Sequence, residues 1–78
     1  TEAVIGFVGR LVLEKGLDTV AAAVNQLQQR GIPHRLLVVG DGPARERFQA
    51  QVPDAIFTGF LDGTNLARAY ASADLLLN

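Results

Sequence analysis

Four apolar runs of strand length recur along this chain, and the stretches between them carry helical periodicity or turn residues. The runs are Ala3 to Val8, Arg35 to Val39, Ala55 to Thr58 and Leu75 to Leu77. The second is nearly all apolar from Leu36, without polar alternation, as expected of a strand buried on both faces of a parallel sheet. Between the first two runs, Leu17, Val20, Ala21, Val24 and Leu27 stripe one face of a helix over residues 17 to 30. Gly31 suits the position just past that helix, and Pro33 bars its continuation. Pro43 fits the first turn of a short helix running to about Ala50, with Phe48 facing inward. Leu66 and Tyr70, beside Ala69 and Ala73, share one face of a third helix that Asp74 ends. Strands alternating with helices at this spacing predict an α/β fold, a Rossmann-like parallel sheet with right-handed crossovers.

Bulk properties narrow the function classes. At 78 residues the chain makes one small domain or a piece of a larger one, and a core of this size is marginal alone. The net charge of -1 gives no global basic field, so neither nucleic acid nor an anionic lipid surface is an expected partner. Zero cysteines exclude a disulfide framework and a cysteine-based zinc site, and are compatible with a reducing cytoplasm. No run approaches the roughly 18 apolar residues of a membrane span. With no methionine and a strand at its very start, residues 1–78 read as a fragment.

The densest chemistry lies between the first strand and the first helix. Gly9-Arg10 is followed by Glu14-Lys15-Gly16-Leu17-Asp18. That loop offers two basic side chains, two glycines and the amide end of a helix to one ligand. Backbone N–H groups there carry partial positive charge and lack intrahelical partners, so phosphate binds readily. Arg10 adds a planar fork of donors and Lys15 a compact charge. The bland alternative is two solvated charges in an exposed loop. Gly40-Asp41-Gly42-Pro43 closes the second strand, either as a tight turn or as backbone open to a ligand. It is no dinucleotide fingerprint, because Arg45 stands where the third glycine belongs. Lys15 is no P-loop lysine either, since no Ser or Thr follows it.

Three segments together resemble the donor-binding domain of GT-B-fold retaining glycosyltransferases of the family 4 type. They are Phe7-Val8-Gly9-Arg10 through Lys15-Gly16-Leu17-Asp18, then Val38-Val39-Gly40-Asp41-Gly42-Pro43, then Phe57-Thr58-Gly59-Phe60-Leu61 with Leu66 to Asp74. The resemblance covers the whole chain and implies a partial C-terminal domain of a GT-B fold, with the first strand central and the fourth beside it. It further implies a hexosyltransferase using a nucleotide diphosphate sugar, with no cofactor and no metal. Arg10 and Lys15 are then the candidate catalytic residues, holding the donor diphosphate. Gly9, Gly16, Gly40, Gly42 and Leu61 are candidate donor contacts, Leu61 beside the nucleotide base. One departure is Leu13, where many members carry proline. The paired glutamates that hold the donor sugar in the family have no counterpart here. The acceptor, a lipid, glycan or small molecule, would belong to a missing domain, and the setting would be cytoplasmic or peripheral at a membrane. Rival readings are a GT-B-fold nucleotide-sugar epimerase and a non-catalytic nucleotide-binding module.

The remaining polar residues read as structural. Asp18 suits the first turn of its helix, His34 a turn beside Pro33, Tyr70 helix packing, and Asp74 a hydrogen-bonding role. Asp41 and Asp62 are lone loop carboxylates without metal-ligand spacing. Cut after a fourth strand, the sheet would expose Leu75 to Leu77, and the isolated segment is expected either to self-associate or to unfold easily.

Overall fold

A computed structural model describes residues 2–77. Four strands, β1 (Ala3–Val8), β2 (His34–Val39), β3 (Ile56–Gly59) and β4 (Leu75–Leu77), alternate with α1 (Leu17–Gln29), α2 (Arg45–Gln51) and α3 (Gly63–Ser72). All pairings are parallel and the order is β3-β2-β1-β4, the expected Rossmann-like arrangement with β1 central. β1 pairs with β2 over its full length, from Ala3 opposite His34 to Val8 opposite Val39.

Period-2 alternation sorts β1 into two faces. Ile5 and Phe7 point to the side where Leu17, Ala21 and Val24 of α1 pack with Phe48 of α2. Val20 and Leu27, the rest of the α1 stripe, are half-buried against the same core. Phe48 is fully buried between Phe7 and Phe57, with ring centroids 6.2 and 5.9 Å away in tilted and edge-to-face geometry. Gly6 faces the opposite side, where a Cβ would lie 3.0 Å from Ala73 Cβ and from Leu76 Cδ2. The α3 chain therefore comes close to β1 at a position that has no side chain.

Two inter-element ties bear on the polar residues. Asp18 receives both Arg47 Nε (3.1 Å) and Arg47 Nη2 (3.0 Å), plus Gln51 Nε2 (3.0 Å), which joins α1 to α2. Hydrogen bonds from Arg47 and then Gln51 hold its carboxyl below the usual value of 3.8. Asp74 pairs reciprocally with Val4, accepting its N–H on Oδ2 at 2.7 Å and donating its own N–H to the Val4 carbonyl at 2.7 Å. This fastens the start of β4 to β1. His34 Nδ1 lies 2.8 Å from the Ile32 carbonyl, a turn contact.

The structure differs from the sequence expectation in four places. A 3-10 turn over Leu13–Lys15 precedes α1, and Gly16 at φ 75° ends one helix and starts the other. Pro43 lies in the turn before α2, which starts at Arg45. Ala69, not Tyr70, is the buried residue of α3; Tyr70 is exposed. Leu75 and Leu76 are exposed, as anticipated for that edge, but Leu77 is half-buried against the core.

Candidate functional site

The carboxyl ends of β1, β2 and β3 converge on a cleft of about 360 Å³. In open parallel sheets ligands bind outside those ends. Val8, Gly9 and Arg10 form its first wall, Val39, Gly40 and Asp41 its floor, and Phe60, Leu61 and Leu66 its far wall. The volume falls within the roughly 300–1,000 Å³ of small-molecule sites.

The first wall is built by a loop whose backbone is tied down while its arginine is free to reach out. Gly9 N–H donates to the Val39 carbonyl (3.0 Å) and Leu11 N–H to the Asp41 carbonyl (3.0 Å). Ala44 N–H returns to the Leu11 carbonyl at 2.9 Å. Leu11 itself is fully buried in the core. Arg10, between two anchored residues, is exposed. Such an arrangement fixes where the Arg10 α-carbon sits and leaves its guanidinium available to an anion.

The floor carries one acid, Asp41, which would repel phosphate if left alone. Its Oδ1 accepts the Gly42 N–H at 2.9 Å, and its Oδ2 lies 3.5 Å from Arg45 Nη1. The Arg45 guanidinium also stands 5.8 Å from the centre of the Phe57 ring. Both charged groups are partly solvated, so this pair contributes little to stability, but it supplies a positive partner to the acid at the cleft. Across the floor, Phe60 is 77% exposed, whereas Leu61 is half-buried.

Of the candidate residues, the cleft gathers Gly9, Arg10, Gly40 and Leu61. Lys15 and Gly16 lie elsewhere. They stand at the rim of a larger hollow, about 700 Å³, lined chiefly by apolar residues of α1 and by Leu75 and Leu77 of β4. Gly42 is absent from the cleft lining and instead packs against the Leu11 backbone. Phe60 and Leu66 join the site without having been singled out. Phe60 had one usable signal, an aromatic side chain directly after a strand-ending glycine, but the residue pair Phe60-Leu61 reads equally well as apolar residues folded beneath a loop. Among the described residues no three His, Cys, Asp or Glu side chains gather as metal ligands would. No helix among them is long and apolar enough to cross a membrane.

The model of the family described as glycosyl transferases group 1 matches residues 2–78. The chain belongs to that family. Among curated relatives, this group 1 chain is 44% identical over 75 residues to a GDP-mannose-dependent α-mannosyltransferase of Corynebacterium glutamicum, covering 96% of the chain and 17% of the relative. A GDP-mannose-dependent α-mannosyltransferase of Mycobacterium tuberculosis is likewise 44% identical over 75 residues, covering 96% and 18%. A 2-deoxystreptamine glucosyltransferase of Streptomyces kanamyceticus is 41% identical over 80 residues, covering 95% and 21%. The chain thus spans about a fifth of the length of these relatives.

Proposed function

We propose that residues 1–78 are part of the donor-binding, C-terminal domain of a retaining hexosyltransferase, and that the cleft beside Arg10 holds the donor's nucleotide diphosphate. The observation that carries this reading is the convergence of Gly9, Arg10, Gly40 and Leu61 on one cleft at the carboxyl ends of three parallel strands. The diphosphate lies along Gly9 and Arg10, and the base lies toward Leu61 and the exposed Phe60. Lys15 and the amide end of α1, opened by Gly16, stand outside this cleft, on a separate hollow, and reach the diphosphate from there. As the sugar–phosphate bond breaks, negative charge grows on the departing diphosphate. Arg10 and Lys15 are the groups that meet that charge, in place of a metal ion or other cofactor.

The relatives' names support transfer over epimerisation, and two of the three specify GDP-mannose as donor. The donor is accordingly a nucleotide diphosphate hexose, with GDP-mannose the first to assay. The acceptor, a lipid, glycan or small molecule, is held by the rest of the protein. Transfer takes place in the cytoplasm or at a membrane face to which the protein binds peripherally. The test uses the full-length protein. Arg10→Ala and Lys15→Ala should each lower kcat/KM for the donor by roughly 100-fold, the effect of losing one donor aimed at developing charge. The product anomer, followed by NMR before it equilibrates, should keep the donor's configuration. Near-wild-type turnover in folded Arg10→Ala would remove the diphosphate assignment, and an inverted product the retaining one.

A further inference from the structure

We propose that the Gly40-Asp41-Gly42 turn is a positioning element that holds the Arg10 loop and the Leu61 loop at one fixed spacing across the cleft. This deepens the donor-binding reading above and rests on it. The turn touches the loops on both sides through backbone. Gly40 N–H donates to the Gly59 carbonyl at 2.9 Å, at the root of the Leu61 loop. A Cβ on Gly40 would run into the Gly9 carbonyl oxygen and stand 3.0 Å from its carbonyl carbon. Its φ of 136° is in any case open to glycine and strained for other residues. Position 40 thus fits between the ends of β1 and β3 only without a side chain.

Two residues further, the same contact is repeated on the other side of Arg10. A Cβ on Gly42 would strike the Leu11 carbonyl oxygen and lie 2.9 Å from the Leu11 nitrogen. Asp41, between the two glycines, accepts the Leu11 N–H on its carbonyl. Arg10 is therefore gripped at both neighbours, Gly9 by Gly40 and Leu11 by Asp41 and Gly42. The Asp41 carboxylate braces the turn itself through Gly42 N–H, and its partner Arg45 lies over Phe57 of β3. A turn locked to both loops sets the distance between the group that meets the diphosphate and the surface that meets the base. Misplacement by about 1 Å in such a site costs on the order of 100-fold in rate.

The experiment is a double-mutant cycle on the full-length protein, which separates action through Arg10 from a general loss of stability. Gly42→Ala should lower donor kcat/KM by roughly 100-fold, and Arg10→Ala by a similar factor. The double variant should fall only slightly further, because both changes remove the same interaction. Gly42→Ala should also weaken binding of GDP much more than that of GMP. Multiplying losses in the cycle, equal weakening of GDP and GMP, or wild-type kinetics in Gly42→Ala would each overturn the positioning role. Should Gly42→Ala fail to fold, Asp41→Ala keeps the backbone path and takes its place. An expected loss of about 10-fold that merges with Arg10→Ala supports the role, and a multiplying loss refutes it. A silent Arg10→Ala would instead strike the donor-binding reading itself.

Discussion

Leu11 anchors the arginine loop, and truncating it should show how far a buried side chain governs an exposed charge. Its side chain is fully buried within the cluster that includes Phe7, Leu17, Val38 and Phe48, although it lies in a loop between two exposed or half-buried neighbours. Leu11→Ala removes three carbons from that cluster and leaves the backbone bonds to Asp41 and Ala44 in place. Buried leucine truncations cost about 3–5 kcal/mol, the transfer loss plus the cavity left behind. Collapse of a loop onto the gap should keep this case near the lower end, about 3 kcal/mol. For a domain of about 150–250 residues each kcal/mol lowers Tm by roughly 2–4 °C, so a fall of roughly 6–12 °C is expected. Leu11→Met, which preserves volume, should cost less than about 1.5 kcal/mol. Thermal and urea unfolding of the full-length protein, with and without GDP, give the measurement. Because the loop that carries Arg10 relaxes, stabilisation by GDP should also shrink in Leu11→Ala. A variant that unfolds within a degree of wild type, or keeps its full response to GDP, would refute the anchoring role.

Three further outcomes follow from the same geometry. EDTA should leave transfer by the full-length protein intact, since Arg10, Lys15 and the α1 amide end take the role of a metal; loss of activity restored by Mg²⁺ or Mn²⁺ would contradict this. Asp18→Asn should destabilise the protein slightly at neutral pH. Because the folded-state pKa of Asp18 is lowered, its contribution is present above the ordinary value of 3.8 and is lost as pH falls through the lower folded value; a stability gap that widens below pH ~4 would have the wrong sign. Residues 1–78 alone should be inactive in transfer and should associate through the exposed Leu75 and Leu76 edge, which sedimentation at increasing concentration would detect and a stable monomer would disprove.

Periodicity made most of the scaffold legible. The buried face of α1 could be assigned from the spacing of its stripe, and the apolar run of β2, without polar alternation, marked an interior strand. Phe48 was equally readable as the one large apolar residue of a short polar helix. What escaped depends on contacts between segments far apart in sequence. The 3-10 turn at Leu13–Lys15 is too short to show a period. Leu11 is one of three consecutive apolar residues, Leu11-Val12-Leu13, and only its position above the core makes it the anchor. Phe60 and Tyr70 are aromatic by composition, yet both are exposed because nothing among the described residues covers them. Arg10 and Lys15 look like one site on paper because only four residues separate them. The turn between them bends the chain, so Arg10 lines the cleft while Lys15 lines the neighbouring hollow. The fit of Gly40 against Gly9, and of Gly42 against Leu11, likewise needs coordinates, since glycine in a turn announces flexibility as readily as close approach.

The most direct test of diphosphate binding beside Arg10 is calorimetric titration of the full-length protein with GDP and with GMP, repeated on Arg10→Ala. Wild type should bind GDP at least about 10-fold more tightly than GMP, a difference of about 1.4 kcal/mol for the second phosphate. Arg10→Ala should erase most of that gap while leaving GMP affinity close to wild type. An equal preference for GDP in both proteins would contradict the placement of the diphosphate at Arg10.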